Sequence, residues 1–249
     1  MLVLGACATA TGTSTDAPNP RAVQPERPTV ATHAGTVAPG YAELETGVER
    51  DQPGDGTLAV SVPSVLKIGL APRAQLSLGA PLTGSTGTPF GLGDVSVGVK
   101  WRVLDDRPLL RDVAVLPSVK LSTGGDRGTG TTDVGLLLIS SHDWGDYALD
   151  LNAGYTHRSG DGSQAPKDAT LWTVSAGGPV YESLGWVAEV FGFPGTTGPA
   201  GNRGTAAFLT GPTFTVAKWL VLDAGGIIPL TGPQPRAFYA GLTWNIGKL

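Results

Sequence analysis

Asp94-Val95-Ser96-Val97-Gly98-Val99-Lys100-Trp101-Arg102-Val103 alternates without a break. Val95, Val97, Val99, Trp101 and Val103 fall on one face of an extended chain. Asp94, Ser96, Gly98, Lys100 and Arg102 fall on the other. A period of two residues is the signature of a strand with unlike faces. Ten residues at ~3.3 Å each, tilted by about 40°, span roughly 25 Å, the height of an outer-membrane apolar band. Lys100 and Arg102 cannot point into lipid, because one such charge at the midplane costs about 2–4 kcal/mol. They are expected to face a lumen.

The pattern recurs outward from this run. Phe238, Ala240, Leu242, Trp244 and Ile246 alternate with Tyr239, Gly241, Thr243, Asn245 and Gly247. Tyr147–Thr156, Val113–Leu121 and Ala74–Leu82 repeat it. Tyr41–Glu49, Leu58–Leu70, Asp133–Ser141, Thr170–Gly178, Leu184–Phe193, Ala206–Val216 and Leu220–Leu230 are noisier but strand-like. The fold class is therefore all-β, an antiparallel up-and-down transmembrane β-barrel of about 12 strands over residues 41–249. Pro63, Pro81, Pro117, Pro212 and Pro229 need bulges or strand ends, since proline has no N–H for the ladder.

The connectors alternate in kind. Asp51–Gly56, Thr83–Gly93, Thr123–Thr131, Arg158–Asp168, Pro194–Gly204 and Thr231–Arg236 are Gly-, Thr- and Pro-rich. Ala71–Arg73, Asp105–Arg111, His142–Asp146, Pro179–Ser183 and Ala217–Lys218 are mostly shorter. Outer-membrane barrels have long extracellular loops and short periplasmic turns. That places both termini on the periplasmic side. Aromatic residues support the same axis: Tyr41, Trp101, Trp144, Tyr147, Tyr181, Trp186, Trp219 and Trp244 fall at the short-turn end. Phe90, Tyr155, Trp172, Phe193 and Phe238 fall at the other.

The chain has 249 residues with 37 Gly, 20 Pro and only 15% charged residues, enough ordered β sequence for one large domain. No window holds the ~18 apolar residues of a spanning helix. Scattered Lys and Arg and a net charge of −4 leave no basic face for nucleic acid. Met1-Leu2-Val3-Leu4-Gly5-Ala6-Cys7 resembles a bacterial lipobox, although only six residues precede the cysteine. Residues 1–7 are read as a residual export or lipoprotein signal, with Cys7 as the lipid-anchor candidate. Residues 8–40 have no periodicity and no Trp, Tyr or Phe, and are expected to be a flexible periplasmic linker. A plug in this region would need apolar residues to bury.

Three stretches resemble one family of outer-membrane transporters named for the meta-pathway of phenol degradation. They are Gly91–Trp101; Arg27-Pro28-Thr29 followed by Val37-Ala38-Pro39-Gly40 leading into Tyr41–Gly47; and Pro117–Gly124. The resemblance covers most of residues 27 to 249. It implies uptake of aromatic or other small apolar molecules. The ending Gly247-Lys248-Leu249 departs from the terminal Phe or Trp that the assembly machinery commonly reads.

The chemistry is sparse. His33, His142 and His157 are expected at different levels of the barrel, and no HExxH, GxSxG, CxxC or phosphate-loop pattern occurs. Ser140-Ser141-His142 invites comparison with membrane lipid hydrolases, but the simpler reading is a solvated turn. Asp126 and Asp161 sit in loops where Asp–Gly pairs make plain turns. The expected protein is not an enzyme and carries no metal or cofactor. The candidate site is the lumen, lined by Asp94, Lys100, Arg102, Lys120, Asp150, Asn152, Glu189 and Asp223. The expected function is passive admission of small, aromatic or apolar, solutes across the bacterial outer membrane. The alternative is a structural or surface-interaction barrel with a closed lumen. The expected partners are outer-membrane lipid, a small-molecule solute and, during biogenesis, the barrel assembly machinery.

Overall fold

A computed structural model of the protein describes residues 19–52 and 57–249. Cys7, and the first part of the stretch read as a linker, lie outside the described residues. Among the described residues fifteen strand segments form one sheet, and β15 closes on β1 over Tyr41↔Lys248 to Gln52↔Arg236. They are β1 (Tyr41–Gln52), β2 (Ala59–Val62), β3 (Ser64–Ala71), β4 (Ala74–Gly79), β5 (Leu82–Ser85), β6 (Thr88–Leu92), β7 (Ser96–Arg107) and β8 (Arg111–Lys120). Then come β9 (Asp133–Trp144), β10 (Tyr147–Arg158), β11 (Asp168–Tyr181), β12 (Leu184–Phe193), β13 (Thr205–Ala217), β14 (Leu220–Thr231) and β15 (Arg236–Lys248). β2 with β3, β4 with β5 and β6 with β7 are broken halves of single staves, so the barrel has 12 staves, all antiparallel.

The prolines sit where the ladder has no place for their N–H. Pro63 separates β2 from β3, in the gap between Glu49↔Ser61 and Thr46↔Ser64. Pro81 separates β4 from β5. Pro212 falls where β13 and β14 stop pairing, between Thr210↔Gly226 and Thr213↔Asp223. Pro229 lies beyond the last β14–β15 pair, Ile227↔Ala237.

Thr83–Gly93 was expected as a loop and is instead a hairpin of β5 and β6, turning at Gly87 with φ 89°. Thr83, Thr88 and Phe90 are good strand formers inside a glycine-rich stretch, and Leu82 pairs with Leu92. This hairpin extends the wall past the rim at the long-loop mouth.

Alternation sorts the side chains as a membrane requires. Val97, Val99, Val134, Leu136, Leu138, Val174, Leu222 and Ile246 are exposed on the outer face. Glu43, Lys67, Gln75, Lys100, Glu189, Thr243 and Asn245 are buried on the inner face. A charged inside and an apolar outside is the reverse of a soluble domain and the arrangement of a lipid-embedded barrel. Trp101, Trp144, Tyr147, Tyr181 and Trp186 ring the outer surface toward the short turns. Their amphipathic rings suit the membrane interface there.

Candidate functional site: an occupied lumen and its vestibule

The inner face is buried because a chain segment covers it. Residues 19–40 lie inside the lumen, which departs from the expected flexible periplasmic linker. Tracing back from β1, Pro39 bridges Gly69 and the Val37 N–H donates to Gln75 Oε1 at 2.9 Å. The Ala34 N–H donates to Ser141 Oγ at 2.7 Å, and Thr32 exchanges two bonds with Asn152 at 2.7 and 2.9 Å. Val30 and Ala31 both donate to the Glu189 carboxylate at 2.8 Å. Arg27 grips Asp223 through two nitrogens at 3.0 and 3.2 Å. The Glu26 and Gln24 N–H groups donate to Glu45 at 2.7 Å and Glu43 at 2.8 Å. Arg21 lies over the Trp219 ring at 5.5 Å, and Val23 donates to the Lys218 carbonyl.

The physical reason that this segment needs no large apolar side chains follows from those contacts. It is held by its backbone, whose buried N–H and C=O groups must all find partners. Ala31, Ala34 and Val37 are at most 2% exposed and pack closely because they are small. Val30 touches an inner apolar patch of Val187, Phe191, Leu209, Ile227 and Tyr239. Ala34 sits with Ala114 and Ile139.

Two buried lysines balance the carboxylates. Lys67 is fully buried, 2.6 Å from Glu43 and 2.8 Å from Glu45, and also donates to the Gln24 carbonyl. Lys100 pairs with Glu26 and donates to the His33 carbonyl at 2.9 Å. Buried charges persist only when paired and hydrogen-bonded. Here the pairing joins the wall to the inner segment.

Of the eight expected lumen residues, Lys100, Asn152, Glu189 and Asp223 touch the inner segment directly. Asp150 acts through Ser141, whose hydroxyl donates to it at 2.5 Å while accepting from Ala34. Arg102 is set apart toward the short turns, 3.0 Å from Asp105 and 3.8 Å from Asp112. Asp94 and Lys120 form a clasp at the long-loop mouth, 2.7 Å apart. Lys120 also reaches Asp133 at 3.4 Å, and Arg158 reaches Asp133 at 3.3 Å. Asp94 further accepts from the Gly124 and Thr129 N–H groups, each at 2.9 Å, and so ties the loop after β8 to the start of β7. Burial pushes its pKa up, but the Lys120 bond and these two N–H groups outweigh it and leave it at about 2. Gly128 is required there: a Cβ on it would fall 2.0 Å from the Asp94 carboxylate.

Lys67, Arg27 and Ser141 were not among the expected site residues. Lys67 lies in the stave broken by Pro63, where the alternation is hard to phase. Arg27 lies in Pro-Glu-Arg-Pro, which carries no period at all.

Above the inner segment the lumen opens. A cavity of about 400 Å³ is lined by Glu26, Ser77, Ser96, Gly98, Leu116, Ser118, Lys120, Gly135, Thr156 and Arg158, among others. A second of about 230 Å³ shares Leu116, Ser118, Gly135, Thr156 and Arg158, and adds Leu137, Gly154, Leu171 and Phe193. Together they form a vestibule at the long-loop half. One side is apolar, the rim is charged but balanced, and Glu26 belongs to the floor.

Elsewhere the chemistry is thin. Ser140 Oγ and His142 Nε2 lie 3.0 Å apart, but the Ser140 proton is directed to the Leu110 carbonyl at 2.7 Å. That hydroxyl is not aligned for transfer to the imidazole. Among the described residues there is no group of three or more His, Cys, Asp or Glu placed to hold a metal.

An apolar belt, aromatic rims and a charged lumen on 12 staves define an outer-membrane β-barrel, and the outer membrane of a Gram-negative bacterium is its location. Residues 26–245 match the family described as "Putative MetA-pathway of phenol degradation", and the chain belongs to that family. An outer-membrane channel from Pseudomonas putida F1 is similar in fold, with a TM-score of 0.65 and 11% identity over 86% of this chain and 98% of that one. The NanC porin is similar with a TM-score of 0.56 and 12% identity over 82% of this chain and 98% of that one. The translocator domain of the autotransporter NalP from Neisseria meningitidis gives 0.53 and 10% over 82% and 88%. No curated protein sequence matches.

Proposed function

We propose that the protein is an outer-membrane channel that admits small solutes of apolar or aromatic character by passive diffusion. The observation that carries this reading is the vestibule. It faces the long-loop mouth, is large enough for a single-ring molecule, and combines Leu116, Leu137, Leu171 and Phe193 with hydroxyls from Ser118 and Thr156. Lys120 and Arg158 are answered by Asp94 and Asp133, so the rim favours a neutral solute over an ion. Apolar walls with a few placed polar groups are the usual make-up of a small-molecule site. Fold similarity to channels and family membership support the reading.

The test is uptake of a radiolabelled single-ring phenolic compound by cells that lack other porins, with and without the protein. Uptake should rise with the protein and fall when Leu137→Arg puts a charge into the apolar wall. Equal uptake in all three strains would refute the channel. The density of polar contacts that hold residues 19–40 favours a second reading, a closed structural barrel. Planar-bilayer recordings with no openings, together with no uptake, would support it.

A further inference from the structure

The wall reads the inner segment by its backbone. Across Val30–Val37, Glu189 accepts two consecutive N–H groups and Asn152 takes both the N–H and the C=O of Thr32. Lys100 donates to the His33 carbonyl, Ser141 accepts from Ala34 and Gln75 accepts from Val37. Acceptors face N–H groups and a cation faces a carbonyl. These seven hydrogen bonds come from five different staves, so the match is to a polypeptide laid across the barrel rather than to one neighbour.

The side chains of the same stretch are mostly small; His33 is the exception, and its Nδ1 accepts from the Gly35 N–H of the segment itself. Ala31, Ala34 and Val37 are buried against the wall. Identity-specific contacts lie outside it, in Arg27 with Asp223 and Glu26 with Lys100. A site that satisfies amides and accepts small side chains is not restricted to one sequence.

We infer that this inner ring is a peptide-binding site, and that a short peptide with small side chains takes it in trans when residues 30–37 withdraw. The covalently attached segment is its resting occupant, favoured by its high effective concentration. The solute reading above concerns the vestibule; this site lies below it and does not depend on it.

The experiment uses the full chain in detergent micelles and a fluorescent nonapeptide with the sequence of residues 29–37. Arg27→Ala and Asp223→Ala each remove the segment's grip without touching the ring. Both should bind the peptide saturably, at least tenfold tighter than the wild type, in which the attached segment competes. N-methylation of the peptide at the positions of Val30 and Ala31 should weaken binding by about tenfold or more, because two N–H donors to a carboxylate are lost. Replacing its threonines and histidine by serine should change binding less than about threefold. A tryptophan in place of its Ala34 should abolish binding. No saturable binding to either variant overturns the proposal, and so does undiminished binding of the N-methylated peptide.

Discussion

Arg27→Ala tests how strongly one ion pair holds the inner segment in the lumen. The guanidinium lies across Gly47 and Gly241, which face each other on β1 and β15. A Cβ at either glycine would come within 2.6 Å of it. From that bed it reaches Asp223 on β14, whose side chain is 2% exposed. Removing one partner of a buried pair costs about 3–5 kcal/mol, since the other charge is left without compensation. The Arg27 side chain is 13% exposed, so the site it vacates borders solvent and the lower figure applies. At about 1.4 kcal/mol per factor of ten, 3 kcal/mol is roughly a hundredfold in the docking equilibrium. Hydrogen exchange of the backbone of residues 24–34, read by mass spectrometry on the intact protein, measures that equilibrium. Arg27→Ala and Asp223→Ala should each lose about a hundredfold in protection, at the ~3 kcal/mol above. The double variant should lose clearly less than the sum, since no orphan charge remains. Unchanged protection in Arg27→Ala, or strict additivity in the double variant, would refute the reasoning.

Glu189→Ala leaves the Val30 and Ala31 N–H groups without their acceptor and should raise exchange at those two amides by about tenfold or more, checked by the same measurement. The Asp94 clasp has a carboxyl that titrates at about 2 rather than the ordinary 3.8. A depressed carboxyl stabilises above its ordinary pKa and loses that contribution as pH falls through its folded value. Pepsin cleavage within residues 121–132 should therefore rise between pH about 4 and about 2 relative to an unfolded control. Asp94→Asn should show the high cleavage across that range. Leu138→Arg, on the outer face at the middle of β9, should destabilise the barrel by about 2–4 kcal/mol in lipid-vesicle unfolding. Cys7→Ser should abolish palmitate labelling of the protein expressed in cells; labelling that persists would remove Cys7 as the anchor.

The barrel was legible because lipid and lumen impose opposite demands on successive residues. Val97, Val99 and Trp101 against Gly98 and Lys100 state that demand in one stave, and the structure places them outside and inside as expected. Staves broken by proline were harder: the Pro63 break hid the phase of Lys67, a fully buried cation paired with two carboxylates. The inner segment was illegible for a different reason. Sequence patterns report side chains, and residues 30–37 are docked through amides that every residue type carries. The signal that remained was negative, an absence of bulk at Ala31, Ala34 and Gly35, which a solvated linker shares. The inward direction of Asp94 and Asn152 was legible because their staves alternate cleanly; Arg27 had no stave to reveal it.

The course of the inner segment has a mechanical corollary. Its first described residues lie beside Trp219 and Asn245, near the short turns, and it joins β1 beside Gly69 at that same mouth. It is therefore a bight of rope laid into a cup, not a cord passed through a ring. Tension on Asn19 and Pro20 would peel it out from one end, breaking the Arg21, Glu26, Arg27 and Glu189 contacts one after another. A pull from the opposite mouth would meet only the bend of the segment. Any force that unblocks this lumen by traction has to act from the compartment that the short turns face.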